Sequence, residues 1–496
     1  MSEKMYKYAT AVLLVLFAIS TSAAGYFASV KPTEVTVTTT TTVTGTVTGT
    51  VTGVPLTFEE QARAAFPKAE DANINWKQFE GTTLNFLFVS HPWEAAIAPY
   101  IPEFEKLTGT TVQMEVVSED IFWDRVILGL QSQTPVFDLA FASQGMDTYS
   151  YYSNKWVVPL NEFLDNAQLT DKNWYDPDDM YPVFKNAFLM PDGNIYGLPI
   201  TFEVYLMFYR KDLFQQYNIE VPTTMQGWLD AIQKFQDMSS TTGVYGAAIR
   251  GGSQTGISDE LAAMILDYWG DRPYDSDKFV YFDSNWTPRY TDPAITQAFD
   301  TWVTVMKNGP PGITSYDWSE ATTAFAQGKT ATYWFDASLF RGIFEDPAQS
   351  KVVGNVGYAV VPPTPTGHRT VAWCWGLMIP SNSENQQASW LFIEWATSKL
   401  MNVLTGAKTS AATRASSWAF QPMSADFPED FTTAVSESLK IAAPDNVYYE
   451  HMEEIVLKQN EALHAIYLGT SVEQAMADLQ AAAEQILKEN PPTAGA

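Results

Sequence analysis

Cysteine is almost missing from this sequence: Cys374 is the only one in 496 residues. No intramolecular disulfide can form, so the core must hold without covalent staples. Histidine is nearly as scarce. The four present, His91, His368, His451 and His464, are scattered along the chain. They form no HExxH pair and no metal-ligand spacing, and neither a metal nor another cofactor is expected. A phosphate-binding loop is also lacking, because the nearest approach, GGSQTGIS (251–258), has Ile257 where such a loop needs lysine. No GxSxG elbow occurs, which removes that class of serine hydrolase. Basic residues are in deficit, 29 Lys and Arg against 57 Asp and Glu, for a net charge of −28. A surface that negative repels phosphate backbones and excludes nucleic acid as a partner. Acid pairs such as Asp178-Asp179 are ordinary surface features and do not by themselves make a hydrolytic pair.

What is abundant points to a folded, well-cored chain, with 46% hydrophobic and 14% aromatic residues. Single cores stop growing near ~250–300 residues, so two or more lobes are expected. Before them, Lys4 and Lys7 precede an uncharged apolar run from Ala9 to Val30. At ~1.5 Å per residue its roughly 22 residues span ~33 Å, enough for a bilayer core of ~30 Å. The run reads as an uncleaved membrane anchor or, with Ser22-Ala23-Ala24 as a small-residue cleavage site, as a secretory signal. No lipobox cysteine follows it. The next segment, TVTTTTTVTGTVTGTVTG (36–53), is nearly all threonine and valine. Such residues keep a chain extended and bury too little surface to fold alone. Dense hydroxyls are also O-glycosylation acceptors. The tract reads as a tether holding a body outside the membrane, and it resembles the Thr/Ser-rich stalks of archaeal surface-bound solute receptors.

The body alternates strands and helices. TTLNFLFV (82–89), TVQMEVV (111–117) and FDLAFAS (137–143) read as strands, and EAAIAPYIPEFEKLTG as a helix stopped by Gly109. Strand–helix–strand order at this spacing predicts a parallel α/β sheet. Asp292 and Pro293 open a later helix whose apolar face is Ile295, Ala298, Phe299, Trp302, Val305 and Met306. Ser471 and Gln474 have capping-box spacing before the last helix.

The stretch from Asp192 to Phe235 carries Asp192-Gly193-Asn194, Tyr196-Gly197-Leu198-Pro199, Tyr209-Arg210-Lys211-Asp212-Leu213-Phe214 and Pro222-Thr223-Thr224 in order. It resembles the sugar-binding branch (family 1) of the extracellular solute-binding proteins of ABC transporters, with Arg210 and Met225 where that family usually has Asn and Trp. EFEKLTGTTV (103–112), AFAQGKTATYWFDASLF (324–340), VGYAVVPP (356–363) and LGTSVEQAMADLQ (468–480) continue the resemblance, which covers roughly 82–487. It implies a two-lobe, type II periplasmic-binding-protein-like α/β fold with an interlobe ligand cleft, preceded by the membrane segment and Thr-rich tether. The expected division is 1–30 signal or anchor, 31–56 linker, 80–198 plus 335–372 lobe one, and 200–334 plus 375–490 lobe two. It implies a binding protein rather than an enzyme, with a carbohydrate ligand captured outside the cell and an ABC permease as partners. An extracellular glycosidase and a surface display or adhesion protein are the alternatives.

Sugar sites combine aromatic platforms with carboxylates and amides, and the 16 tryptophans suit one. After the first strand, His91 and Trp93 either cap the next helix or reach ligand; Ser143 and Gln144 follow the third strand. Glu203, in PITFEVY, matches by resemblance a family glutamate that accepts sugar hydroxyls, and Tyr205 shares its face. Trp269 and Asp271 match a family turn at the cleft. Trp334 with Asp336, and Trp373 with Trp375, are each spaced by two and are expected to share a strand face. Tyr448 opens the penultimate helix, where the family presents an aromatic.

Overall fold

In TLNFLFV the apolar side chains bury Leu84 and then Phe86 to Val89, which makes β1 (Thr83–Val89) an interior strand. His91 caps the following helix, Pro92–Ile97, with Pro92 in its first turn. The next helix, Ile101–Thr108, stops at Gly109, whose φ of 74° suits a residue without Cβ. The chain re-enters as β2 (Thr111–Val117), parallel to β1 from Thr83↔Thr111 to Val89↔Val117. β3 (Leu139–Ser143) lies on the other side of β1, also parallel. The parallel arrangement expected from the sequence is therefore present in these three strands, although the sheet as a whole is mixed.

The computed structural model describes residues 56–252, 258–275, 278–443 and 447–492. The apolar run at 9–30 and the threonine tract at 36–53 lie outside the described residues. Among the described residues no helix is long and apolar enough to cross a membrane. The chain divides after Ala65. Before that point, Phe58–Ala65 is a short helix with Glu59 and Glu60 in its first turn and an Arg63–Glu59 pair one turn apart. After it, Trp76 meets Trp174 edge-on, and Trp174 donates its indole N–H to the Lys68 carbonyl. The folded body thus includes residues upstream of 80.

The remaining strands are β4 (Leu198–Arg210), β5 (Tyr245–Ala248), β6 (Thr330–Ala337), β7 (Val356–Val360), β8 (Thr370–Met378) and β9 (Ala442–Ala443). The order is β2-β1-β3-β8-β4-β6-β5, with β7 on β4 and β9 on β8. β4 joins the halves of this two-lobe α/β fold. Its first half, Leu198 to Val204, pairs with β8, and its second half, Tyr205 to Arg210, pairs with β6 and β7. In one half Phe86, Phe104 and Phe392 pack together. In the other, Phe208 packs against Tyr333, Phe344 and Tyr358.

Strand pairing departs from the expected division in two segments. Residues 356–360 lie beside Arg210 to Leu206, next to β6, although they fall in the span assigned to lobe one. Residues 375–378 pair with β3, and Phe392 packs on β1, although both fall in the span assigned to lobe two. Local periodicity identifies strands but does not order them, and the two returns were exchanged. Helix ends were better marked: Asp292 accepts the Ala294 N–H, Ser471 accepts the Gln474 N–H, and the whole expected face of Pro293–Lys307 is buried.

Helix Gln386–Ala396 carries Glu394 fully buried, and burial pushes its carboxyl from 4.5 up to about 9. An acid with a raised folded pKa holds its proton in the native state after the unfolded chain has lost it. Its contribution therefore declines as pH rises from about 4.5 to about 9. Glu394→Gln should remove this share of the slope and gain on the order of 3 kcal/mol at pH 8. Urea melts of both proteins at pH 5 and pH 8 check it; an equal gain at both values would show that the carboxyl is not the cause.

Candidate ligand-binding cleft

The ends of β1 and β3 and the middles of β4 and β8 bring the central residues together. β8 sits between β3 and β4, in register at Ser143↔Trp375 and Glu203↔Trp373, and β1 leads directly into His91. His91 Nδ1 accepts the Trp93 backbone N–H at 3.0 Å, the bond that caps the helix. This assigns the ring proton to Nε2. Nε2 is buried, has no hydrogen-bond partner among the described residues, and lies 3.8 Å from Glu203 Oε1. That is too far for a direct hydrogen bond. Glu203, 7% exposed, accepts the Trp375 indole N–H at 3.1 Å. A hydroxyl between the imidazole and the carboxylate would accept from one and donate to the other.

Charged groups from both halves surround this centre. Arg250, just past β5, forms a bidentate pair with Asp336 at 2.7 and 3.0 Å and meets Glu260 at 2.8 Å. Glu119 opens helix Glu119–Gln131; burial raises its pKa above the ordinary range, with Arg250 and His91 pulling it down and Glu203 and Asp317 pushing it up. Asp147, on helix Met146–Ser153, accepts the Ser143 hydroxyl. Burial, and next the Glu453 carboxyl, push Asp147 up to about 8. Asp147 thus acts as a proton-holding acid that can donate as well as accept, which suits hydroxyl ligands, and Glu119 is shifted in the same direction.

The expected site residues do not all meet here. His91, Ser143, Glu203, Trp373 and Trp375 do, and Gln144 adjoins them by donating its side-chain amide to the Ala372 carbonyl at 2.7 Å. Trp93 does not: it is buried in the core, edge-on to Phe88 and Phe141. Trp269 carries Arg272 at 3.6 Å and Arg289 at 5.3 Å over its ring, so guanidinium groups occupy it where a ligand was expected. Asp271 lies exposed in the next turn. Tyr205 is buried, with its backbone paired to Ala337. Asp336 is wholly buried and serves Arg250, and Trp334 is 0% exposed.

The expected alternation of Trp334 and Asp336 is also interrupted. Phe335 has a φ of 45°, and the β4–β6 register shifts between Leu206 and Phe208. Such a bulge turns the side chains out of simple alternation. Tyr448 stacks on Tyr149 at 4.9 Å.

Glu119, Trp123, Asp147 and Arg250 were missed. They sit two to six residues past a strand end, with Trp123 stacked on Trp375, and that position is the signal that could have found them.

Comparison with known proteins agrees with this architecture. The chain is 29% identical over 344 residues to the mannitol-binding protein of Pseudomonas aeruginosa, covering 67% of this chain and 72% of the other. It is 26% identical over 424 residues to the erythritol/L-threitol-binding protein of Mycolicibacterium smegmatis, covering 80% and 84%. A crystal structure of an ABC transporter solute-binding protein from Agrobacterium vitis, with bound D-mannitol, superposes with a TM-score of 0.71 at 25% identity, covering 84% of this chain and all of that one. The model of the bacterial extracellular solute-binding proteins matches residues 91–399, more than half the chain, and the chain belongs to that family.

Proposed function

We propose that the chain is the substrate-binding subunit of an ABC transporter, which captures a sugar alcohol or sugar outside the cell by closing its two lobes and delivers it to a membrane permease. The observation that carries this is the His91–Glu203 gap, a buried donor facing a buried acceptor at 3.8 Å, closed by neither residue. Unmade buried hydrogen bonds are costly, and a ligand hydroxyl would complete both. Charge narrows the class: Arg250 is held by Asp336 and Glu260, and Glu119 interacts with both Arg250 and Glu203. Among the described residues of this cluster no cation is left over to balance an anionic ligand, so a neutral polyhydroxy compound fits best. The mannitol- and erythritol-binding relatives favour a sugar alcohol.

The apolar run and threonine tract support tethering of this receptor to the membrane surface. Recovery of the chain in the membrane fraction with residues 9–30 intact would establish the tether; a free N-terminus near residue 25 would replace it with a cleaved signal.

The test is titration calorimetry and thermal melting of the full chain with D-mannitol, erythritol, ribitol, glucose and maltose. Ligand at ~100 times its Kd should stabilise the protein by ~2.7 kcal/mol. The sugar or polyol should be recovered unchanged. Turnover would favour the glycosidase alternative, and silence across the panel would defeat the proposal.

A further inference from the structure

Trp375 stands where a flat indole could carry a sugar ring, but its surface is taken. Trp123 stacks on it, with ring centroids 5.8 Å apart and planes 24° from parallel. Phe141 and Trp373 meet the same ring edge-on at 5.9 and 6.1 Å, and His91 leans on it at 5.7 Å. Trp375 is 4% exposed and Trp373 7%. Trp123 is itself held, with Phe122 edge-on at 5.2 Å. It lies one helical turn after Glu119, so the two share a helix face. The same face therefore brings the Glu119 carboxyl, electrostatically coupled to Glu203 and His91, and the aromatic plate that covers Trp375.

We infer that Trp123 is a specificity-determining residue that denies Trp375 to pyranose rings and so selects acyclic polyols. A pyranose presents a flat C–H face, and much of its affinity comes from laying that face on an open π-surface. An acyclic polyol has no such face. It loses nothing when the platform is occupied and binds through hydroxyls along its length, which His91, Glu203 and Glu119 are placed to meet. The inference rests on the reading of this cleft as a receptor for polyhydroxy compounds.

Titration calorimetry of the full chain with D-mannitol and methyl α-D-glucopyranoside tests it. Wild type should prefer mannitol by ~100-fold or more, a ratio within the range that pocket contacts supply. Trp123→Ala should reduce that preference to within ~10-fold, mainly through a gain for the pyranoside. Trp123→Phe, which keeps a flat plate, should retain the wild-type ratio. Trp123→Leu keeps apolar bulk without a flat face and should behave as the alanine variant, so the ratio remains measurable if alanine impairs folding.

Equal binding of both ligands by wild type, or an unchanged ratio in the Ala and Leu variants, overturns the inference while leaving a working receptor. Failure of wild type to bind either ligand or any other polyol overturns the underlying reading as well.

Discussion

Replacing Arg250 with methionine is expected to lower the unfolding free energy by about 3–5 kcal/mol at pH 7, the cost of breaking a buried ion pair from one side. Arg250 is 7% exposed, Glu260 1% and Asp336 0%. Burial, opposed by Arg250 and reinforced by Asp336, lifts Glu260 well above the carboxylate range. The cluster thus sets one guanidinium against two buried acids, of which Glu260 is the one pushed toward its neutral form. Methionine keeps the apolar length of the side chain but leaves Asp336 charged and unpaired beside a second acid.

Urea unfolding read by tryptophan fluorescence measures it, with the midpoint shift at constant slope giving the change. A triple change, Arg250→Met with Asp336→Asn and Glu260→Gln, should recover most of the loss, because it removes the stranded charges rather than the packing. A loss below ~1 kcal/mol for Arg250→Met alone would mean that water reaches the cluster, since that is the size of an exposed pair.

The parts of this molecule legible in its sequence are those decided by neighbours along the chain. β1, β2 and β3 announce themselves by apolar runs between turns, Gly109 by the left-handed conformation it must adopt, and Asp292 and Ser471 by their capping positions. His91 was also within reach, because it follows the end of β1 in the parallel part of the sheet, where such sheets bind ligands; Glu203 and Trp375, on the antiparallel strands β4 and β8, were reached through the family resemblance and the spacing of the tryptophans. What stayed hidden depends on contacts distant in sequence. Arg250 becomes part of the site only because β5 lies beside β6, which carries Asp336 86 residues later. Trp123 matters because β8 brings Trp375 beneath it.

Trp269 misled for the complementary reason. Its turn resembles one that presents cleft residues, yet Arg272 and Arg289 settle over the indole. The bulge at Phe335 is a third kind of failure, in which one backbone angle cancels an alternation that the residue types alone support. Exchange of the two returning segments, 356–360 and 375–378, has the same origin: each reads as a strand, and only its hydrogen-bond partner reveals its lobe.

Glu203→Gln should weaken binding of the preferred polyol by about 10- to 150-fold, which corresponds to about 1.5–3 kcal/mol for a hydrogen bond to a charged group. The amide is nearly isosteric, and its oxygen can still accept the Trp375 indole N–H, so the Trp375–Trp123 stack and the fold should persist. What it loses is the full negative charge beside His91, and half of its polar end becomes a donor. A hydroxyl bridging the 3.8 Å gap would then meet either a weaker acceptor or an N–H competing with His91 Nε2. Glu203→Ala should cost more, because it also strips the Trp375 N–H of its acceptor in a buried setting.

Calorimetric titrations and ligand-free melting curves of wild type and both variants separate the effects. The expected pattern is a large loss of affinity in Glu203→Gln with a ligand-free midpoint close to wild type, and a lowered midpoint only in Glu203→Ala. Undiminished affinity in the glutamine variant would remove the His91–Glu203 gap from the binding site, and with it the observation on which the functional proposal rests.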